Sequence, residues 1–106
     1  MEPLDTTTPP APAPRPAGPR VAIIYCTRCN WLLRAAWMAQ ELLSTFRDDL
    51  GEVALVPATG GAFSIAVGEE IVWERVRDGG FPDVKALKQR VRDRLDPGRD
   101  LGHIDR

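Results

Sequence analysis

The first sustained apolar run along the chain is Val21-Ala-Ile-Ile-Tyr-Cys26. It is too short for a buried helix and rich in β-branched side chains, so it predicts a strand covered on both faces by helices. From Trp31 to Asp48 the period turns helical. Leu32, Ala36, Ala39, Leu43 and Phe46 step by four and three along one face, and Arg34, Glu41, Thr45 and Asp48 fall opposite. Asp48-Asp49-Leu50-Gly51 ends that pattern, and Glu52 to Ala58 predicts a second strand, in which Pro57 argues against a central ladder position for its last residues.

Gly60-Gly61 then marks a turn. Phe63, Ile65 and Val67 alternate as one face of a third strand, and Gly68-Glu69 returns the chain into Ile71-Val72-Trp73 as a hairpin. The last element starts at Asp83, a good cap residue after Pro82. It carries Val84, Leu87, Val91 and Leu95 on one face, with Lys85, Gln89, Arg92 and Asp93 turned away, and Pro97-Gly98 stops it. The order β-α-β-β-β-α predicts an α/β (α+β) domain: a mixed four-stranded sheet with two helices.

Composition narrows the picture. Seven of the ten prolines fall between Met1 and Pro19, interleaved with Thr and Ala, which predicts a disordered or polyproline-like tail over 1–19 ahead of one domain over 20–106. That stretch has neither the basic start nor the apolar run of a secretory signal, and no apolar run approaches the length of a membrane span. The net charge of −1 gives no reason to expect nucleic acid or a membrane as partner. A cytoplasmic location follows as the simplest expectation, because reducing conditions there keep thiols free.

The chemistry rests on the two cysteines, Cys26 and Cys29, the only ones in the chain. One three-residue loop builds no disulfide scaffold, so a structural staple is the weaker reading. A strand that ends in Cys-x-x-Cys and feeds a helix presents two sulfurs to the unpaired N–H groups of a first turn. Those groups stabilise negative charge and lower a thiol's pKa. Arg28, between the two, adds a cation. The expectation is a reversible dithiol–disulfide couple.

The sequence resembles the Rdx (SelT/SelW/SelH) family of selenoprotein W-like, thioredoxin-fold proteins. The resemblance runs from Val21 to Arg106. It is carried by Tyr25-Cys26-Thr27-Arg28-Cys29, Gly60-Gly61-Ala62-Phe63, Val72-Trp73-Glu74-Arg75, Gly79-Gly80-Phe81-Pro82 and Gly102-His103-Ile104-Asp105-Arg106. It implies a redox domain with Cys26 and Cys29 as its active site, no cofactor, and a role in cell redox homeostasis or antioxidant defence. The implied partners are thiol or disulfide proteins or glutathione. Thioredoxin-fold proteins generally place a cis-proline before the strand facing the dithiol. Here Ala62 occupies that place, and the Gly60-Gly61-Ala62-Phe63 loop is expected to serve the groove by other means or to be a plain tight turn.

Around the dithiol the expected substrate and partner surface comprises Thr27, Arg28, Trp31, Trp37, Gly61, Ala62, Phe63 and Phe81. Trp73 reads as core. Trp37 lies nearer the polar side of its helix and, with Met38 and Trp31 on its flanks, predicts either an exposed apolar patch for a partner or a homodimer or a side chain packed under a loop or the tail. His103 reads as part of a polar tail. Which sulfur attacks has two answers: the cysteine before the helix is usually the exposed one, which favours Cys26, whereas family members that carry selenocysteine place it second, which favours Cys29. Two rivals come from other classes. A dimer sharing two Cys-x-x-Cys pairs would complete a four-ligand zinc site. A binding module would use the thiols to switch affinity without turnover.

Overall fold

The computed structural model describes residues 14–102. The expectations for 1–13 of the proline-rich tail and for His103 fall outside them. Four strands, β1 (Arg20–Cys26), β2 (Glu52–Ala58), β3 (Phe63–Val67) and β4 (Glu70–Glu74), form one mixed sheet in the order β2-β1-β3-β4. β1 runs parallel to β2 and antiparallel to β3, and β3 pairs antiparallel with β4. Parallel neighbours require a crossover, which α1 (Leu32–Phe46) and a short 3-10 turn (Arg47–Asp49) supply. The one-turn helix α2 (Arg75–Asp78) follows β4, and α3 (Val84–Leu95) closes the domain. α2 is the element the apolar pattern does not show, because four residues are too few to display a period.

Both long helices lie on one face of the sheet. α1 and α3 touch each other, and Val21, Ile23, Tyr25, Phe63, Ile65 and Val67 meet their apolar side chains in a single core. The expectation that β1 is covered by helices on both faces is therefore corrected. Ala22 and Ile24, on the other face, fall outside that core. Ala22 pairs with Ala54 on one side and Ala66 on the other, and the methyl of a central-strand alanine is shielded by its neighbours without a helix above it.

The buried stripe of α1 is also rotated from the predicted one. Ala35, Met38, Ala39, Leu42 and Phe46 are buried, while Leu32 and Leu43 are about half exposed. Leucines stand in adjacent pairs at 32–33 and 42–43, so the apolar pattern fits either rotation. The small Ala35, fully buried, turns the contact face toward the sheet. In α3 the expected face holds: Leu87 and Val91 are buried, Leu95 packs at the margin, and the Asp83 carboxylate caps the helix by accepting from Ala86 N–H at 2.7 Å. Lys88 is buried beside them and reaches Glu41 of α1 at 2.9 Å, so its charge is paired across the helix interface.

The segment before β1 packs at the end of the sheet remote from Cys26. Pro19 C=O accepts from Gly51 N–H, and Arg15 reaches the Gly51 carbonyl and the Glu52 carboxylate. Gly18 crosses so close to the Asp49 carbonyl that a β-carbon there would collide with backbone. No helix among the described residues is long and apolar enough to cross a membrane.

Candidate functional site

Cys26 ends β1 and Cys29 follows in a turn that closes before α1 begins. The turn is pinned to the end of β2, where the Thr27 backbone N–H and hydroxyl both donate to Ala58 C=O at 3.0 and 3.3 Å. Asn30 N–H donates back to Thr27 C=O, and Asn30 takes the left-handed conformation, φ 61°, that asparagine tolerates better than most residues. The first helical residue is Leu32, three positions beyond Cys29. The sulfurs therefore sit in their own turn rather than in the first turn of the helix.

The two sulfurs stand 2.7 Å apart, with Cys29 Sγ donating to Cys26 Sγ. From there a disulfide requires a closing of only roughly 0.7 Å. The shared proton splits their acidities. The Cys29 S–H pulls the Cys26 thiol below its ordinary value, helped by the backbone N–H groups of Gly61, Cys29 and Arg28 and opposed by desolvation. The same contact pushes Cys29 above its ordinary value, with desolvation and the Cys26 charge adding to it, while Gly61 N–H and the Arg75 cation pull the other way. The causes foreseen from the sequence were the helix N-terminus and the Arg28 cation. The causes found are the partner sulfur and turn amides, Arg28's own among them, and the cation that acts is Arg75, on Cys29.

Access runs against acidity. Cys26 is buried at 2% exposure and Cys29 is half-buried, so the expectation that Cys26 is the exposed sulfur is corrected. Because Cys26 still belongs to β1, it pairs with Ala58 of β2 on one side, and the β1–β3 pairing ends one residue before it, at Tyr25 and Phe63.

The Gly60-Gly61 turn faces the dithiol. Tyr25 pairs with Phe63, and continuing that antiparallel register sets Ala62 opposite Cys26. Gly60 and Gly61 both take positive φ, 71° and 74°, Ala62 N–H closes the turn onto Thr59 C=O, and there is no cis peptide bond among the described residues. A tight glycine turn thus occupies the place where related folds put a cis-proline. Arg75, at the start of α2, donates from Nε to Gly61 C=O at 3.3 Å and lies over the Trp31 ring, 5.1 Å from its centre.

Three rings form the adjoining wall. Trp31 meets Phe63 and Phe81 edge-on with centres 6.3 and 5.0 Å apart, Phe63 and Phe81 are 4.8 Å apart, and Arg34 lies 4.1 Å above Phe81. Of the residues expected at the surface, Thr27 and Arg28 are exposed, and Trp31, Gly61, Ala62 and Phe81 are half-buried around the sulfurs. Phe63 is buried at 1% and underlies the wall instead of presenting a surface. Trp37 is 44% exposed, but its expected companion Met38 is core and Trp31 is engaged in the aromatic wall; Leu33, 83% exposed one turn earlier, accompanies Trp37 instead. Trp73 is core, and its indole N–H donates to Gly80 C=O. Sequence reasoning missed Arg75 as a site residue. The motif Val72-Trp73-Glu74-Arg75 marked it, but nothing in the apolar pattern showed that a helical turn would bring it back to Gly61.

Comparisons agree with this geometry. Residues 20–93 match the model of the Rdx family. A crystal structure of a Bordetella parapertussis protein is 69% identical, with a TM-score of 0.73, and covers 74% of this chain and 99% of its own. The crystal structure of a selenoprotein W-related protein from Vibrio cholerae is 52% identical over the same shares, again with a TM-score of 0.73. A curated mouse protein, migration and invasion enhancer 1, is 26% identical over 92 residues, 85% of this chain and 76% of that protein. Sheet order, dithiol placement and these matches lead to one assignment: the chain belongs to the Rdx family and has its selenoprotein W-like, thioredoxin-type fold.

Proposed function

We propose that the protein is a thiol–disulfide redox protein that cycles Cys26 and Cys29 between dithiol and disulfide. The observation that carries this reading is the pair itself: two sulfurs 2.7 Å apart, one with its pKa lowered and the other raised by the same proton. Such an arrangement favours the thiolate, the attacking form, at Cys26 and the protonated form at Cys29.

In the forward cycle the Cys26 thiolate attacks one sulfur of a substrate disulfide. The S–S bond breaks, the first thiolate leaves, and a mixed disulfide remains on Cys26. Cys29 then gives up its proton and attacks Cys26 Sγ, releasing the second substrate thiolate and forming the Cys26–Cys29 disulfide. Two electrons have passed to the substrate, and a thiol reductant such as glutathione or a dithiol protein returns them. Acidity is the ground for choosing Cys26, since exposure favours Cys29. This chemistry suits a reducing compartment such as the cytoplasm and a role in redox homeostasis.

Exchange of each cysteine for serine tests the order of events. With Cys29→Ser, a disulfide substrate should accumulate as a stable adduct on Cys26, seen by intact mass. Adducts only on Cys29 in the Cys26→Ser protein would reverse the order, and adducts on neither would remove the redox reading.

A further inference from the structure

We propose that Arg75 is the positioning residue of the dithiol: its guanidinium clamps the Gly60-Gly61 turn and the Trp31 ring together and so keeps that turn seated against Cys26 and Cys29. The inference rests on the dithiol reading and deepens it by naming what sets the couple's potential.

Three observations converge. The Nε–H of Arg75 donates to Gly61 C=O at 3.3 Å, and the guanidinium carbon lies over Trp31, 5.1 Å from the ring centre, so one side chain touches both walls. Gly61 sits in the turn whose register faces Cys26, with φ 74° and little side-chain packing of its own: a β-carbon added there would meet only Arg75 Nη2, at 3.5 Å. A turn of two glycines in left-handed conformation is intrinsically loose, so an external tie has something to hold. Finally, the guanidinium is not committed elsewhere. Arg75 makes no carboxylate ion pair among the described residues, and the neighbouring Glu74 carboxylate accepts from Arg77 N–H as the cap of α2.

The chemical consequence has a definite sign. Gly61 N–H favours the charged form of both sulfurs, and the Arg75 cation favours that of Cys29. A group that stabilises thiolates stabilises the reduced protein, which makes the disulfide the stronger oxidant. Loss of Arg75 should therefore make the couple more reducing. Lysine keeps the charge but lacks the multi-donor guanidinium that bonds a carbonyl while lying over an indole, so it should restore only part of the effect.

The test compares wild type, Arg75→Met and Arg75→Lys, each checked for folding by circular dichroism. The proteins are equilibrated with mixtures of reduced and oxidised glutathione, where two glutathione thiols supply two electrons and two protons to the disulfide, and the thiolate absorbance of the reduced proteins is titrated. Arg75→Met should shift the equilibrium constant about tenfold toward disulfide, equivalent to about 30 mV, and move the thiolate titration to higher pH, with Arg75→Lys in between. Coincidence of Arg75→Met with wild type in both readouts overturns the proposal. If Arg75→Met does not fold, Arg75→Lys decides: an intermediate shift supports the clamp, and wild-type values overturn it. The underlying reading fails separately, if wild type forms no Cys26–Cys29 disulfide at any glutathione ratio.

Discussion

Gly61 shows how much of the site hangs on single residues. At φ 74° an alanine costs about 1 kcal/mol in backbone strain, whereas its methyl would stand at ordinary contact distance, 3.5 Å, from Arg75 Nη2. The penalty is therefore conformational, and relief of it swings the peptide that faces the sulfurs. Gly61→Ala should lower the melting temperature by several degrees and shift the thiolate titration of reduced protein upward in pH. A lowered melting point with an unchanged titration would show that the Gly61 amide does not act on the sulfurs. At this scale the sequence announces the cysteines, because their spacing is itself a chemical statement. It does not announce Gly61's role, because a glycine pair reads the same in any tight turn.

Among the elements, the short helix α2 does the most for its size. Its aspartate, Asp78, ties three pieces together: Oδ2 accepts from Glu74 N–H at 2.8 Å and pairs with Arg77, and Oδ1 pairs with Arg90 of α3 at 3.1 Å. Arg90 in turn donates to Val72 C=O of β4 and lies over the Trp73 ring. The Glu74 amide first, then the two arginines, lower the Asp78 pKa from 3.8 to about 2. A carboxylate depressed on folding adds stability above its unfolded pKa and loses it as pH falls toward the folded value, so the window lies between about pH 4 and about pH 2. Asp78→Asn keeps an acceptor but no charge. Its melting temperature should lie below wild type at neutral pH, and the gap should close across that acidic window; a constant gap would mean that the charge contributes nothing. The alternation of β3 and the capped stripe of α3 were legible because apolar and polar residues there divide cleanly. The rotation of α1 was not, since paired leucines satisfy two faces, and α2 was invisible because it is held by polar bonds that leave no hydrophobic period.

For the molecule as a whole, the distribution of charge matters more than its sum. The chain is nearly neutral, at −1, yet Arg28, Arg34 and Arg75 stand in or beside the dithiol site with no carboxylate partner among the described residues, Arg34 and Arg75 resting on aromatic faces. Glu74 and Asp83, the acids that flank Arg75 and Pro82 in the sequence, accept the capping bonds of α2 and α3 from Arg77 N–H and Ala86 N–H. By contrast Arg15, Arg20, Arg77, Arg90, Arg92, Arg94 and Arg99 all pair with acids, and Arg47, in the turn after α1, is the one described arginine outside the site that does not. A concentration of unpaired cations beside a reactive sulfur accelerates encounter with anions and is screened by salt. Reduced protein should therefore react faster with a dianionic aromatic disulfide than with uncharged hydroxyethyl disulfide of matched leaving-group acidity. That advantage should shrink several-fold between roughly 0.01 and roughly 0.5 M ionic strength. The dicationic disulfide cystamine should show the opposite slope. Stopped-flow rates over this range, for wild type and for Arg28→Gln with Arg34→Gln, check the idea: slopes near zero for every disulfide would mean that the arginines serve the aromatic wall and do nothing to draw in a substrate.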